Sequence, residues 1–261
     1  MKTNYHSHTT RCKHANGRDE EYVISAIKGG LTEIGFSDHC PWPFEGDYVS
    51  RIRMDVEQMD DYVQQITALQ VKYKDQISIK IGLECEYYEE FIPWLTQLKE
   101  HYHLDYFIFG NHFPENETRS YYTGSGTTTP KHLENYLQTA IKAMESGLFT
   151  YFAHPDLFMV SYKTFDKHCE NMTRQLCLKA KEVNMPLEFN ISGYLYQEQH
   201  DTPHGYPHKD FWKIAKEVGC QAIIGYDAHT PLVYETNKYY DRAKMELAAL
   251  GIEVIPSLSF N

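Results

Sequence analysis

The segment YFIFG, residues 106–110, is a nearly continuous apolar run, and QAIIG, residues 221–225, repeats that character further along the chain. Strands that are covered on both faces have this composition, which is typical of parallel sheets packed beneath helices. Counting these two, seven β-prone segments alternate with amphipathic stretches: 2–5, 33–37, 77–83, 106–109, 149–153, 186–189 and 221–225. This alternation predicts an α/β fold with a parallel sheet.

Helices between the strands are predicted from the spacing of apolar residues. The clearest one follows Thr129 and Pro130, which are typical start signals; its apolar stripe has a period near 3.6 residues and consists of Leu133, Tyr136, Leu137, Ala140, Ile141 and Met144. A second helix is predicted from Asp55 and a third between Pro207 and Gly219. The tracts 40–54 and 113–129 lack strong periodicity and are predicted to be long loops over a functional site.

Length and composition favour one domain over residues 1–261. A chain of 261 residues has the ordinary size of a single β/α barrel. Its formal net charge of −11 disfavours nucleic acid as a partner, because a phosphate backbone would be repelled. Six cysteines without a C-x-x-C pair, and the absence of a long apolar run, lead us to expect a cytoplasmic protein that does not bind membranes. Spacing alone leaves the oligomeric state open.

Residues that can bind metal follow the carboxyl ends of six predicted strands. In a β/α barrel these ends meet on one face, so separate segments would deliver their side chains to one cavity. The sixth strand ends instead in Asn190, a candidate for contacting substrate. The nine candidate ligands are His6, His8, His14, His39, Glu84, His112, His154, Asp227 and His229.

Taken singly, each of these residues has an ordinary structural explanation. His-x-His pairs occur by accident, Glu84 could be a solvated carboxylate among neighbouring glutamates, and histidines at strand ends are often packing residues. The combined placement favours a multinuclear metal site. Neutral imidazoles bind divalent ions without adding charge, whereas Glu84 and Asp227 add negative charge and can bridge two ions. Nine ligands suffice for three ions.

Such a site suits hydrolysis of a phosphate monoester. Metal ions lower the pKa of a bridging water to give a hydroxide nucleophile, and they offset the charge of the phosphoryl oxygens. Glu84, Asp227 and His229 are therefore candidate catalytic residues acting through bound metals. Asp38 is a candidate for protonating the leaving alcohol or for orienting a histidine. Arg53 in the 40–54 tract is a candidate for contacting phosphate.

Several motifs resemble the polymerase and histidinol phosphatase (PHP) family, and in particular its stand-alone histidinol phosphatases. They occur in family order over nearly the whole chain and read HSHTTRCKHANGRDEEYVISAIKGGLTEIGFSDH, GLECEY, NHF, AHPDL, EFNISG and GYDAH. The resemblance implies a distorted (β/α)7 barrel with a trinuclear centre of zinc, manganese or iron. It also implies L-histidinol phosphate as substrate, hydrolysed to L-histidinol and phosphate in histidine biosynthesis.

The resemblance further implies how the ligands are shared among three ions. His6, His8, Glu84 and Asp227 would hold the first ion. Glu84, His112 and His154 would hold the second, and His14, His39 and His229 the third. The chain departs from the family at residues 188–196, EFNISGYLY, where many histidinol phosphatases carry an arginine two residues after the glycine. This departure concerns a phosphate contact and leaves the exact monoester open.

Three other interpretations remain open at the level of sequence. The first is a phosphoesterase of the same family acting on nucleotides or on another small phosphate ester. The second is an amide or lactone hydrolase of the amidohydrolase type; since such sites hold one or two ions, His14, His39 and His229 distinguish it from a trinuclear phosphatase. The third is a module that uses metal only for folding or for binding a partner.

Overall fold

The computed structural model describes residues 1–260, and its seven β-strands form one parallel sheet in the order β1 to β7. The sheet curls into a nearly closed barrel with helices around it, which confirms the predicted (β/α)7 architecture. The strands are β1 (Thr3–Asn4), β2 (Glu33–His39), β3 (Ser78–Cys85), β4 (Tyr106–Gly110), β5 (Phe152–Ala153), β6 (Leu187–Asn190) and β7 (Ala222–Gly225).

Nine α-helices lie in the described part of the chain. They are α1 (Asp19–Lys28), α2 (Met59–Tyr73), α3 (Ile92–Tyr102), α4 (Thr123–Gly126), α5 (Pro130–Glu145), α6 (Lys167–Glu182), α7 (Ser192–Gln199), α8 (Lys209–Val218) and α9 (Lys238–Leu250). None of the helices between residues 1 and 260 combines the length and apolar character that crossing a membrane requires.

The predicted helix signals act as expected at α5 and α8. The Thr129 side chain accepts a hydrogen bond from the His132 amide, and Pro130 occupies the first helical position of α5. Helix α8 ends at Gly219, which adopts a positive φ of 86°. The second predicted helix begins later than expected, because a 3-10 helix over Val56–Gln58 separates Asp55 from α2. The short helix α4 interrupts the predicted loop 113–129.

The main core lies between the sheet and the surrounding helices. Helix α8, for example, buries Phe211, Trp212 and Ala215 against it. A smaller apolar cluster fills the inside of the barrel and is covered by Leu258 and Phe260 near the carboxyl terminus; it consists of Tyr5, Tyr106, Ile108, Tyr151, Ala153 and Ile223. Because side chains fill this half of the barrel, the interior is accessible only from the opposite end.

The barrel closes between β1 and β7 through residues next to the candidate ligands. The His8 amide donates to the Ala228 carbonyl over 2.9 Å, and the Ala228 amide donates to the His6 carbonyl over 3.1 Å. At the other end of this seam, Val254 pairs with Ala222 in parallel. The seam therefore fixes the segments 6–8 and 227–229 against each other.

Strands β2 and β3 are longer than predicted, and this changes where their polar residues lie. Asp38 and His39 are the last residues of β2, and Glu84 lies within β3, paired with His39 in register. These side chains therefore project from the sheet itself. Side chains fixed by strand backbone are held more precisely than those carried on loops.

Candidate metal centre

Glu84 lies at the centre of the imidazole cluster and divides it between its two carboxylate oxygens. Oε1 lies 2.8 Å from His154 Nε2 and 3.2 Å from His112 Nε2. Oε2 faces the other side, 3.3 Å from His6 Nε2 and 3.1 Å from His39 Nδ1. A carboxylate that presents its two oxygens to separate groups of donors can bridge two ions.

Asp227 joins the segment 227–229 to the first two histidines. Its Oδ1 atom lies 3.2 Å from His8 Nε2 and 3.5 Å from His6 Nε2. Donor atoms of these three residues all lie within 4.8 Å of one another. The group offers two nitrogens and a carboxylate oxygen, a set that suits a divalent ion of intermediate softness.

A second group of three histidines lies nearer the surface. Nε2 of His14 is 2.8 Å from Nε2 of His229, and donor atoms of these two and of His39 lie within 4.8 Å of one another. Two of the imidazoles are held from behind by backbone carbonyls. His14 Nδ1 contacts the Cys12 carbonyl at 2.7 Å, and His229 Nδ1 contacts the Asp227 carbonyl at 3.0 Å. Both rings therefore present Nε2 to the cluster.

All nine residues singled out in the sequence thus meet in one place. Two of them, His154 and Asp227, have positive φ angles of 33° and 47°. Residues with a β-carbon seldom adopt this conformation, and it costs roughly 1–3 kcal/mol where it occurs outside glycine. Such strain concentrates at functional sites, where the surrounding structure compensates for it.

The hydrogen bonding of the buried donor atoms indicates that the cluster fits metal ions. Buried polar atoms nearly always have hydrogen-bond partners. In this cluster, however, several buried atoms have none among residues 1–260, and they face the same small volume: His6 Nε2, His8 Nε2, His39 Nδ1 and Glu84 Oε2. Divalent ions bound in this volume would satisfy these atoms.

Protonation in the cluster follows from burial and from neighbouring charges. Burial lowers the pKa of His229 to about 3 and also lowers the pKa of His14, so both imidazoles are neutral near pH 7. At His8 and His112 the neighbouring carboxylates outweigh burial and raise the pKa to about 9 and about 10, so metal binding there displaces a proton. Burial alone would raise the pKa of Glu84. The His112, His6 and His39 imidazoles outweigh that effect and hold its pKa well below the usual range, so Glu84 is ionised.

Two buried glutamates that the sequence analysis did not single out orient ligands from outside the cluster. Glu188 contacts His6 Nδ1 at 2.9 Å, and Glu86 contacts His112 Nδ1 at 2.8 Å. Each contact leaves Nε2 of the imidazole for the cluster, the arrangement typical of histidine ligands with carboxylate partners. Gly225 provides the space for Glu188, because a β-carbon there would lie 1.8 Å from Glu188 Oε1.

The alternation of side chains between the two faces of a strand could have identified both glutamates from the sequence. Side chains two residues apart on a strand share a face. Glu86 comes two residues after Glu84, and Glu188 comes two residues before Asn190.

Cys12 is another residue near the cluster that the sequence did not indicate. Its sulfur lies near His8 and His229. Burial raises the pKa of this thiol to about 12, so it is protonated near pH 7.

Arg53 does not reach the cluster, which corrects its predicted contact with phosphate. The side chain is 1% exposed and its guanidinium lies between Glu86 and Glu117. Its Nη1 atom donates to Glu86 and to the Cys40 carbonyl, Nη2 donates to Glu86 and pairs with Glu117, and Nε donates to Glu117. All five N–H groups of an arginine are thereby engaged. Arg53 instead ties the loops 40–54 and 113–122 to Glu86.

Asn190 and Asp38 also have positions that differ from their predicted roles. The Asn190 amide donates to Glu188 at 2.9 Å and to Asp227 at 3.3 Å, so it positions two carboxylates and is 1% exposed. Asp38 is fully buried behind His8, where it accepts from the Thr9 amide and hydroxyl. Asp38 therefore orients its neighbours, and it lies too deep to protonate a leaving alcohol directly.

A pocket of about 670 Å³ opens above the cluster. Seven of the nine candidate ligands form much of its floor: His14, His39, Glu84, His112, His154, Asp227 and His229. Its walls include Tyr122, Tyr206, Leu195 and Val233. A pocket of this size accommodates a small organic phosphate above bound ions.

Comparison with known proteins agrees with this geometry. The family model of the PHP domain matches residues 4–192. Histidinol-phosphatase from Bacillus subtilis is 27% identical over 257 residues, covering 88% of this chain and 94% of that protein. The probable histidinol-phosphatase of Deinococcus radiodurans is 27% identical over 239 residues, with coverage of 87% and 85%.

A solved structure has the same fold over nearly the full length. It is histidinol phosphate phosphatase from Lactococcus lactis complexed with zinc, L-histidinol and phosphate. The two chains superpose with a TM-score of 0.74 at 20% sequence identity, covering 97% of this chain and 95% of the other.

Proposed function

This chain belongs to the PHP domain family, and on that premise we propose that it is a metal-dependent phosphomonoesterase acting on L-histidinol phosphate. The observation that carries the proposal is the convergence of nine imidazoles and carboxylates beneath one pocket, with buried donor atoms that lack protein partners. We propose three divalent ions, zinc, manganese or iron, held by the three groups of ligands that the family resemblance implies.

Bound ions would lower the pKa of a water molecule and neutralise the charge of the phosphoryl oxygens. The protein's own part is to fix the donors. Glu188 and Glu86 hold His6 and His112 with Nε2 toward the cluster, and Asn190 holds Asp227. Since phosphoryl transfer depends mainly on positioning and charge neutralisation, this fixed framework supports the reaction.

The choice of substrate is supported by the relatives. Two of them are named as histidinol-phosphatases, one of these as probable, and the structural neighbour was crystallised with L-histidinol and phosphate. The pocket walls combine tyrosines with apolar side chains, and they can accept the flat imidazole of such a substrate.

The experiment is phosphate release from L-histidinol phosphate, compared with a panel of phosphate monoesters that includes nucleotides, on protein whose metal content has been measured. We expect kcat/KM for L-histidinol phosphate to exceed that for every other ester. Equal rates across the panel would refute the substrate assignment and leave a general phosphatase. Hydrolysis of amides or lactones without phosphate release would refute the reaction class.

A pair of variants separates catalysis from folding. His39→Ala removes a ligand shared by the inner and outer parts of the cluster, and we expect turnover to be lost while the circular dichroism spectrum is retained. The matched control is His101→Ala, an exposed histidine on α3. We expect this control to keep the parent's activity. A folded His39→Ala protein with full activity would contradict the proposal.

A further inference from the structure

Within residues 1–260, the wall of the pocket has no permanently charged cationic side chain that could contact a phosphate. Among the described residues that line it there is no lysine and no arginine. Arg11 is engaged by Asp19 and Asp61, and Arg53 is fully occupied beneath the loops. Apart from the candidate ligands, the side chains in the wall that can contact the phosphoryl group are therefore neutral donors.

Tyr206 is one such donor in the pocket wall. Its side chain is 9% exposed, and its ring centroid lies 6.0 Å from that of the candidate ligand His154. Its hydroxyl makes no hydrogen bond to residues 1–260 and is not one of the buried atoms left without a partner, so it is open to solvent. Tyr206 thus lines the pocket with its ring beside His154, and its O–H is free to donate.

The position of Tyr206 depends on a glycine at the start of helix α7. A β-carbon on Gly193 would lie 1.9 Å from the Tyr206 carbonyl oxygen and 2.7 Å from its ring. Only glycine permits this approach between the helix and the segment that carries Tyr206. Because no other residue type would fit without moving the segment, Tyr206 has a defined place above His154.

Tyr122 is the corresponding donor on the other side. Its ring lies 6.3 Å from that of His112, with an angle of 18° between the planes. The next residue fixes it to the ligand segment, since the Thr123 amide donates to the His112 carbonyl over 2.7 Å and its hydroxyl donates to the Asn111 carbonyl over 2.8 Å. The Tyr122 side chain is 41% exposed, and its hydroxyl makes no hydrogen bond to residues 1–260.

We propose that Tyr122 and Tyr206 position the substrate by donating hydrogen bonds from their phenol hydroxyls to its phosphoryl oxygens. This inference rests on the proposed function and names two residues that bind the phosphate. The two rings lie beside His112 and His154, which contact the same oxygen of Glu84, so both hydroxyls act on a group bound above that side of the cluster.

The test is calorimetric titration of inorganic phosphate into zinc-loaded protein. Tyr122→Phe and Tyr206→Phe keep the rings and remove only the hydroxyls. We expect each to weaken phosphate binding by roughly 10- to 150-fold, the range for a hydrogen bond to a charged group, with unchanged zinc content. The matched control is Tyr102→Phe, which loses a surface hydroxyl that donates to Asp60, and we expect it to bind phosphate like the parent.

The second part of the experiment measures the binding of L-histidinol to the same variants. If the hydroxyls contact only the phosphoryl group, both variants bind L-histidinol like the parent, and KM for the phosphate ester rises more than kcat falls. Unchanged phosphate affinity in both variants overturns the inference, and so does a loss of affinity that accompanies a loss of zinc. Phosphate binding needs no turnover, so a parent that hydrolyses no ester refutes the proposed function without affecting this result.

Discussion

Replacing Arg53 with methionine removes the guanidinium that pairs with two buried carboxylates. Arg53 lies 3.0 Å from Glu86 and 2.6 Å from Glu117, and the exposed fractions of the three side chains are 1%, 1% and 5%. Methionine fills a similar length without charge. Glu86 and Glu117 then remain in the interior without their cationic partner.

The expected loss of stability follows from the burial of the three charged side chains. Removing one partner of a buried ion pair costs roughly 3–5 kcal/mol, because the other charge is left uncompensated. For a chain of this size each kcal/mol shifts the melting midpoint by roughly 2–4 °C, so we expect the midpoint to fall by roughly 6–20 °C. A second effect concerns metal, because Glu86 orients His112. Disturbing such a partner lowers metal affinity by roughly 10- to 100-fold.

The assay is thermal unfolding of chelator-treated protein, followed by zinc titration of the folded variant. Treatment with chelator separates the ion pair from the stabilising effect of bound metal. The matched control is Arg174→Met, since Arg174 is 41% exposed and pairs with Glu217 over 2.6 Å. Exposed pairs contribute at most about 1 kcal/mol, so we expect little change in this control.

The charges of Glu86 and Glu117 can also be removed together with that of Arg53. Burial would raise the pKa of Glu86, but the Arg53 guanidinium outweighs it and holds that pKa well below the usual range. Adding Glu86→Gln and Glu117→Gln to Arg53→Met removes the uncompensated charges, so we expect part of the lost stability to return. If the free energy of unfolding of the Arg53→Met variant lies within about 1 kcal/mol of that of the parent, buried charge is not important at this position.

Three other changes test the cluster and its supports. Glu188→Gln weakens the partner of His6 Nδ1 and should lower zinc affinity by roughly 10- to 100-fold with the fold retained; an unchanged titration would rule out the orienting role. Gly225→Ala places a carbon 1.8 Å from Glu188 and should lower stability by roughly 1–3 kcal/mol, whereas a parent-like melting midpoint would contradict the close approach. Metal removal should lower the melting midpoint, since ligand at about 100 times Kd stabilises by about 2.7 kcal/mol; insensitivity to chelator would argue against a bound metal.

The sequence contains enough information to predict the barrel because parallel strands covered on both faces must be apolar throughout. The segments 106–110 and 221–225 have that composition, and the structure confirms both as strands of the sheet. Strand ends were less predictable. Polar residues such as Asp38 and His39 are unusual inside a strand, and here they belong to β2 because the neighbouring strand pairs with them.

The structure brings together the nine candidate ligands because barrel topology gathers the carboxyl ends of separate strands. The supporting residues could not be located in this way. Arg53 lies in an irregular loop, where spacing gives no information about direction, and only the fold reveals that its charge is used by Glu86 and Glu117. Asn190 was placed correctly at a strand end, but which neighbours share its amide depends on the register of β6 and β7.

The most direct measurement is anomalous diffraction at the zinc edge from crystals grown with zinc. We expect three peaks inside the cluster, with roughly 2.0–2.2 Å between each ion and its nitrogen and oxygen donors. Glu84 should contact two of the ions through its separate oxygens. Absence of any peak between His6, Glu84 and Asp227, or zinc bound only at histidines such as His200 and His204, would contradict a single metal centre built from distant segments of the chain.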